Sequence, residues 1–151
     1  MKKCILVIIG LFMFITLSCS SGDNNTNSNL IGKWDLIARN EASGASIPLT
    51  NCDELYNSEE FFNNNTSIGI WAEPGATGNN CGVQTFQETY TLVNNILSLK
   101  KLGYYEFRYT VIELTSNKLT LKHIYSEEDG AGSGYNIPTN EQTTATFEKI
   151  D

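Results

Sequence analysis

From Leu30 onward, apolar and polar residues alternate with period 2, and turn residues interrupt the pattern at short intervals. This constrains the fold more than any other feature, because such a pattern suits half-buried strands and cannot form one face of a helix. Leu30, Gly32, Trp34, Leu36 and Ala38 share one face of a first strand, with Lys33 and Asp35 on the other. A glycine passage at Gly44 leads to Ile47-Pro48-Leu49. Glu60-Phe61-Phe62 and the segment Ser67 to Trp71 flank Asn63-Asn64-Asn65, where asparagine tolerates the left-handed backbone of a tight hairpin. Residues 74–82 read as a loop. Phe86, Glu88, Tyr90 and Leu92 then face one way, and Thr85, Gln87, Thr89 and Thr91 the other. Asn94-Asn95 turns into Ile96 to Leu99, and Gly103 precedes Tyr105, Phe107, Tyr109 and Val111. Ser116-Asn117 turns into Leu119, Leu121, His123 and Tyr125, and a last strand runs from Thr143 to Ile150. No stretch sustains a 3.6-residue period, so no helix is expected. The fold class is all-β: an antiparallel up-and-down meander that removes its exposed edges by closing into a barrel of about eight strands.

The N-terminus carries a different signal. Behind Lys2 and Lys3, Cys4 to Leu17 is a run of 14 uncharged residues. That length falls within the roughly 7–15 of a secretory core and short of the about 20 needed to span a bilayer. It ends in Leu17-Ser18-Cys19-Ser20, the pattern of a bacterial lipoprotein signal, cut before Cys19 and acylated on its thiol. Ser20 to Asn29 contains no apolar residue and reads as a tether too polar to bury anything. The expected organisation is a signal peptide over 1–18, a lipidated tether over 19–29 and one barrel domain over 30–151. The expected location is the cell envelope, with the domain held at a membrane, the outer membrane in the first place, through lipid on Cys19. The leaflet it faces is left open.

Removal of Lys2 and Lys3 leaves 8 basic against 17 acidic side chains, a net charge of −9 with His123 neutral. Such a surface repels phosphate backbones, and no basic run offsets it, so nucleic acid is not an expected partner. Cys4 leaves with the signal and Cys19 is acylated, which leaves Cys52 and Cys81 in the domain. In an oxidising compartment they most simply pair with each other, a cross-link that stabilises by about 3–4 kcal/mol in the chain-entropy model. A metal site is the weaker reading, because the two cysteines lack C-x-x-C spacing and there is one histidine. Enzyme signatures are missing as well. One histidine leaves no zinc pair, Gly130 to Gly134 is not G-x-S-x-G, and no phosphate loop is present. Neither catalysis nor a cofactor is expected.

Gly32-Lys33-Trp34 at the start of a barrel's first strand is a lipocalin-type G-x-W. In order after it come Leu49-Thr50-Asn51-Cys52, Phe61-Phe62 before a turn, Cys81, Tyr90 to Leu99, Tyr109 to Thr115, and Leu119-Thr120-Leu121. Across residues 30–150 the chain resembles the lipocalin-like domain of small Gram-negative lipoproteins. Two departures stand out. Asn64-Asn65 replaces the usual Asp-Gly turn, and neither Arg39 nor Arg108 lies on the last strand to pack on the motif tryptophan as an arginine does in many lipocalins. The resemblance implies a lipocalin-like barrel with a general binding capacity.

The expected ligand is a small apolar or amphipathic molecule held in the barrel's open end by Tyr90, Tyr105, Phe107, Tyr109, His123 and Tyr125. Trp34 reads as a plug at the barrel base. His123 reads first as a hydrogen-bonded interior residue and second as a ligand contact. Glu88, in phase with Phe86 and Tyr90, is either a buried carboxylate at a functional site or the mark of a β-bulge; the bulge is favoured because an unpaired buried charge is costly. Arg108 is expected in solvent. Glu127-Glu128-Asp129-Gly130 lacks calcium-loop spacing and reads as a solvated turn. The competing reading is a filled barrel that recognises a protein or glycan through its loops.

Overall fold

The computed structural model describes residues 28–74, 81–101, 103–128 and 132–150. The signal peptide, Cys19 and most of the tether lie outside the described residues, as do Asp129 and Gly130. The strands are β1 (Gly32–Asn40), β2 (Ser46–Ile47), β3 (Ser58–Phe61), β4 (Thr66–Pro74), β5 (Cys81–Val93), β6 (Ile96–Lys101), β7 (Tyr105–Leu114), β8 (Lys118–Glu127), β9 (Tyr135–Asn136) and β10 (Thr144–Ile150). One helix, α1 (Asn51–Tyr56), stands between β2 and β3. Eight of the strands form a closed antiparallel ring in the order β1, β3, β4, β5, β6, β7, β8, β10, with β10 pairing both β8 and β1. The two-residue strands β2 and β9 lie beside β1 and β8. Closure leaves no strand of the ring with a free edge, which is how a meander of this size protects its backbone groups.

The turns behave as asparagine allows. Asn94 and Asn95 take φ 51° and 62°, joining β5 to β6 by a two-residue hairpin, and Asn65 takes φ 62° between β3 and β4. One end of the barrel is packed shut by Leu30, Trp34, Phe61, Leu97 and Leu119, each at most 1% exposed. Leu30 belongs to a helical turn over 28–30 that precedes β1, and its carbonyl accepts from Trp34 Nε1 at 2.8 Å. Phe61 meets Tyr90 edge to face, ring centroids 5.1 Å apart. The Lys149 ammonium lies 5.0 Å from the centre of the Trp34 ring and donates to the Asn29 carbonyl at 3.0 Å. The cation on the tryptophan is therefore present on the last strand as a lysine. Gly32 makes room for it: its φ is 125°, and a Cβ there would stand 2.5 Å from Lys149 Cε.

Three expectations about elements are corrected. The chain is not helix-free. Thr50 caps α1, its hydroxyl accepting from the Asp53 amide at 3.2 Å while the Asp53 carboxylate accepts from the Thr50 amide at 2.8 Å. Residues 74–82 are not all loop, since β4 runs through Pro74 and β5 begins at Cys81. The inward face of β1 changes partway: the pairing with β10 shifts between Leu36 and Ala38, so Arg39 takes the interior side in place of Ala38. Arg39 pairs with Asp53 of α1 at 3.1 Å. Asp53 titrates below the usual carboxylate range: burial opposes this, but bonds with Thr50 and the charge of Arg39 outweigh it. A Cys52–Cys81 disulfide then ties α1 to the start of β5. Among the described residues no helix is long and apolar enough to cross a membrane.

Candidate functional site

At the end opposite Trp34 the barrel interior is not filled. A cavity of about 390 Å³ is walled by the rings of Trp71, Phe86, Tyr105, Phe107 and Tyr109, with Leu99 and Glu88 deeper in. His123 forms one side, and exposed Glu128 marks where the cavity meets solvent. Trp71, Tyr109 and His123 also bound an adjoining lobe of about 320 Å³, whose other walls include Arg39, Ile47 and Leu121. A wider depression of about 600 Å³ runs past exposed Gln87, Thr89 and Lys100, and gives a ligand little enclosure.

The aromatic wall follows from strand phase. Tyr105, Phe107 and Tyr109 alternate along β7 and point inward, and Tyr105 stacks on Phe107 with centroids 4.9 Å apart. Phe86 on β5 meets Tyr105 edge to face at 5.9 Å. His123 on β8 stacks on Tyr109 at 4.9 Å and meets Phe107 edge on at 5.7 Å. Its Nε2 lies 3.0 Å from the Tyr125 carbonyl and 3.1 Å from the Ser126 hydroxyl. Burial lowers the His123 pKa, against the opposing pull of the Tyr125 carbonyl and of Glu128. The ring is neutral near physiological pH and polar at its edge.

Four of the six residues assigned from sequence line this cavity: Tyr105, Phe107, Tyr109 and His123. Tyr90 does not. It is 3% exposed in the packed core, and its hydroxyl donates to the Phe62 carbonyl at 2.7 Å. Tyr125 is on the outer surface, because the β7–β8 register shifts so that Tyr109 faces His123 while Arg108 faces Tyr125. The bulge at Ile124 reverses the phase, and Ser126 takes the buried side. Tyr125 packs instead under the Arg108 guanidinium, 4.3 Å from its ring, and against Gly134. Arg108 is thus not merely solvated, since it also pairs with Glu106 at 2.6 Å. Glu127 clasps its loop, accepting from the Gly132 amide at 2.8 Å.

Beneath the aromatic wall lies a polar cluster. The pairing of β5 with β4 is continuous through Glu88, so no bulge turns it away, and the bulge reading is corrected. Glu88 is 7% exposed and accepts from the Tyr105 hydroxyl at 2.5 Å and the Ser67 hydroxyl at 3.2 Å. Its neighbour Glu59 is 4% exposed, and neither of its carboxyl oxygens has a hydrogen-bond partner, although Ser67 and Glu88 are the polar groups beside it. Burial, and then the charge of Glu88, raise the Glu59 pKa well above the ordinary value. Tyr105 and Tyr109 are also pushed up, by burial first and then by these carboxylates. Gly69 accommodates the cluster: a Cβ there would stand 2.7 Å from Glu59 Oε2 and 3.0 Å from Trp71 Nε1. Sequence reading missed Glu59. The period-2 signal that could have found it lay in Glu59 and Phe61 sharing a face, obscured by the polar run Asn57 to Glu60. Among the described residues no three side chains are grouped to hold a metal ion.

The model of the lipocalin-like domain family matches residues 30–121. A lipocalin-like protein from Bacteroides uniformis has a similar fold, with 20% identity and a TM-score of 0.53 over 81% of this chain and 99% of that one. Bovine odorant binding protein in complex with undecanal is a more distant likeness, with 12% identity and a TM-score of 0.41 over 87% of this chain and 76% of that one. No curated protein sequence matches the chain.

Proposed function

The chain belongs to the lipocalin-like domain family, and from that premise we propose that it binds a small apolar or amphipathic molecule at the open end of its barrel, as a non-enzymatic lipoprotein held at a membrane through Cys19. The observation that carries the binding role is the cavity of about 390 Å³ ringed by five aromatic side chains in a barrel whose other end is packed shut. Ligand sites of about 300–1,000 Å³, mostly apolar with a few placed polar groups, are the usual form of a small-molecule pocket. A filled interaction module would lack this space. The anchoring role is supported by the 14-residue uncharged core and the Leu17 to Ser20 motif; two or three acyl chains hold a protein far more firmly than one, at about 0.8 kcal/mol per buried CH₂.

Native mass spectrometry of protein purified from its own membrane tests binding: a retained small-molecule mass is the expected result. A bare protein mass, together with no uptake of added 1-octanol, would defeat the proposal. For the anchor, labelled palmitate should be incorporated by the native chain and not by Cys19→Ala; equal incorporation by both excludes Cys19 as the acylated residue.

A further inference from the structure

We infer that the cavity selects amphipathic molecules with a cationic amine head, the ammonium seated against Glu88 at the cavity floor and the apolar tail among the aromatic rings. This rests on the binding role proposed above and names the ligand class for the same site.

The barrel interior carries an imbalance of charge. Glu59 on β3 and Glu88 on β5, the strands to either side of β4, are both buried inside the barrel. No salt bridge reaches either one among the described residues. The nearby cations are otherwise engaged, Arg39 by Asp53 at 3.1 Å and Lys101 over the Tyr104 ring at 4.3 Å. Glu88 receives two hydroxyl donors, but Glu59, with its carboxyl over Gly69 and toward Trp71, receives none. An unpartnered carboxyl in the interior costs stability in the empty protein. An incoming cation with several N–H donors supplies the counter-charge that the fold leaves out.

The wall above the carboxylates suits the same head group. Trp71, Phe86, Tyr105, Phe107 and Tyr109 present π-rings around the space that ends at Glu88, and ring faces attract an ammonium, more strongly where water is excluded. A carboxylate-headed ligand such as a fatty acid meets the opposite situation. It would bring its own negative charge to a floor formed by Glu88, with the Glu59 carboxyl buried beside it. An alcohol avoids that repulsion but gains no charge-assisted bond.

The test uses n-octylamine, 1-octanol and octanoic acid, which share a tail and differ in head group. Each is titrated calorimetrically, at a pH where the amine is charged, into the full chain held in phosphatidylcholine nanodiscs, with empty discs as the blank. The amine should bind about tenfold more tightly than the alcohol, the gain of a charge-assisted over a neutral hydrogen bond, and the acid most weakly. In Glu88→Gln the ratio of amine to alcohol affinity should fall toward one, and Glu59→Gln should lower it in the same direction. A wild-type protein that binds the alcohol or the acid as tightly as the amine overturns the inference and leaves the binding role intact. So does an amine preference that persists in both variants. If none of the three binds, the cavity's binding role fails, and the inference with it.

Discussion

At the residue scale, Glu59 sets a pH dependence that an ordinary surface carboxylate would not. In the unfolded chain it ionises near the usual value of about 4.3, whereas burial and Glu88 make the folded protein hold the proton to higher pH. Above that value the folded state binds more protons than the unfolded state, so this group's contribution to stability falls as pH rises. His123 acts in the opposite sense, because its depressed pKa costs stability as pH drops below about 6.5. Glu59→Gln should therefore gain on the wild type as pH is raised above about 4.3, read as urea midpoints; parallel profiles would show that the Glu59 carboxyl does not titrate as inferred. Tyr125 and Phe107 offer a second contrast. Phe107→Ala removes a cavity wall and should weaken 1-octanol binding about tenfold, a loss of roughly 1.4 kcal/mol. Tyr125→Ala, on the outer surface, should leave it unchanged. Equal losses in the two variants would return Tyr125 to the interior.

At the scale of elements, the alternation along β5, β6 and β7 was legible because each strand is long and half-buried, and the hairpins were legible because paired asparagines mark positive φ. What escaped was local. A six-residue helix cannot display a 3.6 period, so α1 was signalled only by Thr50 and Asp53 in capping-box spacing. Thr50→Ala should cost about 1 kcal/mol of stability by denaturant titration, while a change near zero would mean that α1 is held by the disulfide and Arg39 alone. Bulges are harder still, since one extra residue leaves composition untouched and reverses every side chain beyond it. That is why Ala38 and Tyr125 left the interior face that the alternation assigned to them while Tyr109 and His123 did not. The lysine on Trp34 was missed for a related reason: Lys149 is one of several lysines, and only ring closure brings β10 beside β1.

For the whole molecule, closure of eight strands was readable from pattern and size, and the half-empty interior was not, because cavity volume depends on how side chains from opposite walls meet. The long-range cross-link also belongs to this scale. Cys52 and Cys81 are 29 positions apart, and removing the bond by Cys52→Ser with Cys81→Ser should cost about 3–4 kcal/mol by chemical denaturation. A double variant as stable as the parent would mean that α1 and the β5 start hold their places without it. The way the chain enters the barrel sets an orientation. Leu30 and Asn29, the Lys149 acceptor, lie at the sealed floor, and β1 runs from there past Trp34 to Arg39 at the mouth. Whatever grips the N-terminal segment therefore holds the barrel by its base, like a cup by its foot, and a guest would come and go from the far side.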